Sequence, residues 1–316
     1  MQLSDEEETP GDRVVVNKLT YRLQTPARWE VAVFRLFNSI FVKRILGLPG
    51  EEIEIRDGDI FINGKLCRKT LDEALAMRML LYDSKIGTAS TASDARWERD
   101  FDGDMFVLDG RAQPATLVYR NFDIDGQKCE PIRDEYSYNG GTQANCEYVH
   151  DFLVTCELDV RESSGDGEIV LQLCDGGDWA SVRIPVGAQK GCQNALLSVV
   201  VALVDRRLTL AVNGVTWSQT DLPESSQRVA VERPFRLEAH GVLVTLAGFQ
   251  LYRDVHYGQQ GVNGVRGKAV RLGTGQYFVL GDNSPRSEDS RHWPDAGRIA
   301  AGNLIGPVER RILSLR

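Results

Sequence analysis

Short apolar runs and two-residue alternation fill most of the chain, and the interruptions mark its organisation. Between Gly11 and Gly64, Val14-Val15-Val16 and Val31-Ala32-Val33-Phe34 have the density expected of strands. Ile53, Ile55, Ile60 and Ile62 alternate with polar residues around Asp57-Gly58, which predicts a hairpin, and Asn63-Gly64 supplies the next turn. The pattern then changes. Thr70 followed three residues on by Glu73 is a capping box, and Leu71, Leu75, Met79 and Tyr82 recur at helical spacing, so a helix is expected there. Residues 84 to 100, SKIGTASTASDARWERD, read as a loop or linker.

From about Phe101 to Tyr257 the strand pattern returns. Val154, Cys156, Leu158 and Val160 point one way while Thr155, Glu157, Asp159 and Arg161 point the other. Ile169 to Cys174, Val182 to Val186, Ala195 to Val204, Leu208 to Val212 and Val242 to Leu251 continue the series. Turns are expected at Gly165-Asp166-Gly167, Gly176-Gly177, Asp205-Arg206 and Asn213-Gly214. Many short strands with regular turns predict a β-sandwich. Past Gly258 a glycine-rich junction, GQQGVNGVRG, leads back to the first pattern in Gln276 to Leu280. The reading is therefore a mainly β protein with one short helix. A discontinuous β domain (11–66 and 259–316) carries an inserted jelly-roll-type β-sandwich (101–258), with helix and linker at 67–100 and an acidic, disordered segment at 1–10.

Composition narrows the function classes. Lys plus Arg is 37 and Asp plus Glu is 45, for a net charge of −8, which argues against a nucleic-acid binder with a broadly basic surface. No run approaches the roughly 18 apolar residues of a membrane-spanning helix. The best candidate, Val31 to Leu48, is interrupted by Arg35, Asn38, Lys43 and Arg44. Met1 to Asp12 carries five carboxylates and no apolar core, so no signal peptide is read there. The six cysteines contain no C-x-x-C pair; the five between 129 and 192 leave room for one or two disulfides or for buried free thiols. The four histidines form no metal-binding pair, and neither a metal nor a cofactor is expected.

Two segments carry chemistry. In Phe41-Val42-Lys43-Arg44-Ile45-Leu46-Gly47-Leu48-Pro49-Gly50, Lys43 lies in a strand pattern, where burial would lower its pKa towards that of a general base. In Gly281-Asp282-Asn283-Ser284-Pro285-Arg286-Ser287-Glu288-Asp289-Ser290-Arg291-His292-Trp293, Asp289 and Arg291 could pair, and Ser287 could hydrogen-bond a neighbouring amine. Each also fits a plainer reading, a snorkelling strand lysine and a polar surface turn.

Together these segments resemble the bacterial type I signal peptidases. Lys-Arg-x-x-Gly-Leu-Pro-Gly at 43–50 is similar to that family's lysine region, and Gly-Asp-Asn with Ser-x-Asp-Ser-Arg-x-Trp at 281–293 to its C-terminal signature. Gly11 to Lys18 resembles the stretch after its nucleophile. The resemblance implies a β-rich catalytic domain held at the plasma membrane by an N-terminal helix and acting outside the cytoplasm. It also implies cleavage of signal peptides with small residues at −1 and −3 by a Ser/Lys dyad. On this resemblance Lys43 is the general base, Ser287 the hydroxyl that positions it, Asp289 and Arg291 a structural pair, and Asp282 and Asn283 part of the supporting loop.

Three departures qualify what is expected. The family's serine sits in Ser-Met-x-Pro-Thr-Leu, but counting back from Gly11 lands on Leu3; Ser4 is next, followed by Asp5-Glu6-Glu7-Glu8. A serine among four carboxylates is a poor nucleophile, since they disfavour the oxyanion. Arg28-Trp29-Glu30 stands where the family has Arg-Gly-Asp, and no anchor helix is read. The expectation is thus either an enzyme whose helix and serine precede this sequence, or an inactive relative that binds exported peptides or partner proteins. The insert resembles laminin-G and concanavalin sandwiches only in pattern. Trp179 and Trp217 are candidate platforms for a sugar or protein ligand, or else core tryptophans.

Overall fold

The computed structural model describes residues 13–85, 96–100, 106–123, 128–136, 146–186, 195–223 and 229–312; Ser4, Gly11, Asp12 and Cys192 lie outside them. The chain forms two compact units, one from Met1–Leu66 with Tyr257–Arg316, the other from Cys67–His256. Strands dominate both. Among the described residues no helix is long and apolar enough to cross a membrane.

Among its described residues the first unit holds two antiparallel sheets. The larger has six strands in the order Arg13–Val16, Leu304–Ile312, Val31–Leu36, Ser39–Gly47, Gln276–Leu280 and Ile299–Ala300. It therefore brings the strand carrying Lys43 beside the strand that leads into the 281–293 loop. The smaller is built on the expected hairpin, Ile53 opposite Ile62 and Arg56 opposite Asp59. Asp57 (φ 50°) and Gly58 (φ 89°) take the left-handed conformation that two-residue hairpin turns demand. Phe34, Ile45, Val279 and Trp293 pack together in the core, with the Trp293 ring edge-on to Phe41 at 5.3 Å.

Trp29 also takes a left-handed backbone (φ 69°), a costly place for a bulky residue. It is held there on both sides. Trp29 N–H donates to Ile45 O at 2.8 Å, Ile45 N–H to Glu30 O at 2.9 Å, and Arg44 Nη1 to the Trp29 carbonyl at 2.6 Å. Burial of the indole offsets the strain.

Among its described residues the second unit forms a ten-stranded sheet folded over itself. Its spine is the long pair Phe152–Cys174 and Phe235–Arg253. The expected turn at Gly165-Asp166-Gly167 is absent, because the strand continues through it as a bulge: Ser163 opposes Val242 and Glu168 opposes His240. Beyond that irregularity the spine changes partners, from Ala195–Val204 to Trp179–Pro185. Side chains from both halves meet in one core. Trp97 lies 4.9 Å from Phe249, Tyr82 5.1 Å from Tyr119, and Phe235 5.0 Å from Phe249, ring centre to ring centre. This is the sandwich arrangement the alternation implied.

Three readings need correction here. The capped helix forms, with both halves of the Thr70/Glu73 box, but it spans only Leu71–Met77. Met79 and Tyr82 belong instead to a strand, Met79–Asp83, paired with Phe235–Arg253. The chain leaves the helix at Arg78 (ψ 145°), and Tyr82 joins the aromatic core. Part of the supposed linker is also strand, because Trp97–Arg99 pairs with Ala115–Tyr119 and buries Trp97. Trp217 is no core tryptophan: it is 47% exposed on an edge strand, Val215–Asp221. Trp179 is half-buried with the Arg236 guanidinium 4.4 Å over its ring. Of the two readings left open for the cysteines, Cys129, Cys156 and Cys174 take that of the free thiol.

Candidate active site

Strand pairing within the first unit assembles the site. In the Ser39–Gly47 strand Lys43 faces Ala32 of one neighbour, and Arg44 faces Leu280 of the other. Leu280 ends its strand, and the chain turns at Gly281 into the polar loop. Lys43 Nζ there donates to Ser287 Oγ at 2.7 Å across 244 positions of sequence. Ser287 is buried and the amine half-buried.

The loop is held by charge. Asp289, Ser290 and Arg291 are fully buried. Arg291 Nε and Nη2 donate to the two oxygens of Asp289 at 2.9 and 2.8 Å, a bidentate pair. The rest of the guanidinium reaches Gly258 O, Ser284 Oγ and Ser284 O at 2.8 to 3.1 Å. Asp289 in turn accepts from Gly281 N–H at 3.1 Å, and Ser290 Oγ accepts from Val279 N–H at 2.9 Å. A buried pair so fully hydrogen-bonded works as a rigid brace for its neighbours.

Two further residues matter here that sequence reasoning gave no role. A Cβ on Gly281 would overlap Ser287 Oγ and come within 3.1 Å of Lys43 Nζ, so only glycine lets hydroxyl and amine meet. Arg44 grips Asp282 with Nε and Nη2 at 2.8 and 2.5 Å while donating to the Trp29 carbonyl. It thereby ties the lysine strand to the loop. The signal for Arg44 was its place beside Lys43; its partner is 238 positions away and invisible to spacing. Asn283 heads the short 3₁₀ turn Ser284–Arg286.

Burial lowers the Lys43 pKa from its ordinary value of 10.5; Asp289 works against that shift and Arg291 reinforces it. The site thus holds a primary amine biased towards its neutral form, fixed by one hydroxyl and braced by a buried ion pair. Such an amine can accept a proton from a hydroxyl nucleophile. On the same strand Ile40 and Val42 are exposed, as are nearby Phe37 and, further along the unit, Leu19 and Leu23.

Comparison with known proteins gives the chain a family. Residues 4–112 and 201–313 match the family described as signal peptidase, peptidase S26. A probable signal peptidase I-2 from Synechocystis sp. is 40% identical over 64 residues, covering 18% of this chain and 29% of that protein. Signal peptidase I V of Bacillus subtilis is 36% identical over 56 residues, covering 17% and 33%. The chain therefore spans about a third of these relatives' lengths. Among solved structures, the binding domain of botulinum neurotoxin serotype D covers 72% of this chain and 48% of its own, at 9% identity and TM-score 0.28. The apo Crh5 transglycosylase covers 55% and 83%, at 9% identity and TM-score 0.31. The family match extends over more than half of the sequence, and the chain belongs to the signal peptidase, peptidase S26, family.

Proposed function

We propose that the chain is a serine endopeptidase of the signal peptidase I type, working on the signal peptides of exported preproteins at the extracytoplasmic face of the plasma membrane. The observation that carries this reading is the 2.7 Å contact between Ser287 and a Lys43 whose pKa burial has lowered. Lys43 acts as general base: its neutral amine takes the proton of a serine nucleophile as that oxygen attacks the scissile carbonyl, and an acyl-enzyme forms and is hydrolysed. Ser287 accepts from the amine and so aims its lone pair. Asp289 and Arg291 hold the loop, and Asp282 and Asn283 carry it. The exposed Leu19, Leu23, Phe37, Ile40 and Val42 suit an apolar substrate strand and a membrane surface.

Ser4, the serine next to the position where the resemblance expects a nucleophile, lies outside the described residues, and its four following carboxylates favour a second reading, an inactive relative that binds such peptides. Incubating the full chain with a preprotein carrying Ala-x-Ala before the cut decides between them. Cleavage after the second alanine supports the enzyme; intact preprotein that co-purifies with the chain supports the binding module. Trp217 is an exposed aromatic from which a sugar or protein ligand of the second unit would be sought.

A further inference from the structure

The second unit buries a lysine that the peptidase chemistry does not use. Lys69 precedes the capped helix, Asp205 lies in the turn between Ala195–Val204 and Arg207–Val212, and Asp254 follows the long strand Phe235–Arg253. Their side chains are 3%, 2% and 4% exposed. Lys69 Nζ lies 3.0 and 3.2 Å from the two oxygens of Asp205 and 2.8 Å from Asp254 Oδ2. The Lys69 backbone N–H also donates to Asp205 Oδ2, at 2.7 Å. Asp205 N–H is held by Asp151 Oδ2 at 2.9 Å. Among the described residues Asp254 Oδ1 has no hydrogen-bond partner.

We propose that Lys69 and Asp205 condense into an intramolecular amide, Nζ to Cγ, with Asp254 carrying the proton. The reaction needs no outside reagent, since ammonium plus carboxylate gives amide plus water. Asp254 takes one proton from the ammonium, freeing the nitrogen lone pair. The nitrogen attacks Asp205 Cγ as that carboxylate turns about its Cβ–Cγ bond, and the N–C bond forms. Negative charge then gathers on Oδ2, where the Lys69 backbone N–H waits as an oxyanion donor. The other oxygen, Oδ1, receives the proton from Asp254 and a second from the nitrogen, and leaves as water. The nitrogen keeps one proton, and the C–O bond is the one broken.

Physical chemistry favours this product in this place. Two charges taken out of water are costly even when paired, and the amide abolishes both. Fixing the groups in contact supplies the high effective concentration that condensation lacks in solution, and a dry site disfavours hydrolysis. Burial works against the Lys69 ammonium, but Asp205 and Asp254 outweigh it and hold its pKa well above the ordinary value, so the resting pair is ionic. Burial, reinforced by Asp205 and Asp151 against the pull of Lys69, pushes Asp254 up to about 6. Of these carboxylates it is the one suited to hold a proton in transit.

Intact-mass spectrometry of the denatured full chain tests this. The expected mass is that of the sequence less one water molecule. Trypsin should then release the peptide that begins at Lys69 joined to the peptide that ends at Arg206, with no cleavage after Lys69. Lys69→Met should restore the full sequence mass. Asp254→Asn, which keeps both reacting groups, should do so at least in part. A wild-type chain at its full sequence mass, an ion pair only, overturns the proposal, as does a missing water that persists in Lys69→Met.

Discussion

Two lysines of this chain are withdrawn from water and meet opposite fates. Lys43 is half-buried with a serine hydroxyl as its hydrogen-bond acceptor, and its pKa falls. Lys69 is wholly buried with two carboxylates within 3.2 Å, and its pKa rises. Burial alone therefore does not decide whether a lysine is a base. What decides it is the charge of the groups that share the burial. In the first unit the carboxylate that acts most strongly on Lys43, Asp289, is already committed to Arg291, and little of its field is left to stabilise an ammonium.

The largest expected effect separates the two directly. Lys43→Ala should cut kcat/KM for signal-peptide cleavage by about 10²–10⁴-fold, the usual range for a general base. Lys69→Met should leave cleavage within a few-fold of wild type while the chain stays folded. A comparable loss in both variants would erase the distinction. Stability should move the other way. Lys69→Met strands buried carboxylates and should cost the second unit about 3–5 kcal/mol in denaturant unfolding, whereas Lys43→Ala should change stability little.

Gly281→Ala sharpens the first half of the comparison. Its Cβ must push Ser287 away from Lys43, so turnover should fall on the order of 10–100-fold through misplacement alone, with the Asp289–Arg291 brace kept. Unchanged turnover would mean that the lysine–serine contact is dispensable. At the small end, Thr70→Ala removes a helix cap next to Lys69 and should cost about 1 kcal/mol, read as a modest drop in Tm.

How much of this could be read along the chain follows from range. Asp57-Gly58, Asn63-Gly64, Asp205-Arg206 and Asn213-Gly214 were legible because two-residue hairpin turns need left-handed residues, and all take positive φ. Lys43 and the 281–293 loop stood out through residue types at short spacing. Met79 and Tyr82 misled because an apolar residue every three or four positions also fits the end of a helix followed by a buried strand. Gly165 and Gly167 suggested a turn where the long strand needed a bulge. Arg44's hold on Asp282 and Lys69's on Asp205 were out of reach, since their partners lie 238 and 136 positions away and are fixed by sheet topology.

The central claim is that Lys43 is a poised neutral base, and its own titration tests this without reference to turnover. In a chain labelled at the lysine ε-carbon, Lys43 should titrate below 10.5, and cleavage should rise with pH through that same midpoint, because only the unprotonated amine can accept the serine proton. Ser287→Ala should shift that midpoint. A Lys43 midpoint at or above 10.5, or cleavage that ignores it, would contradict the account.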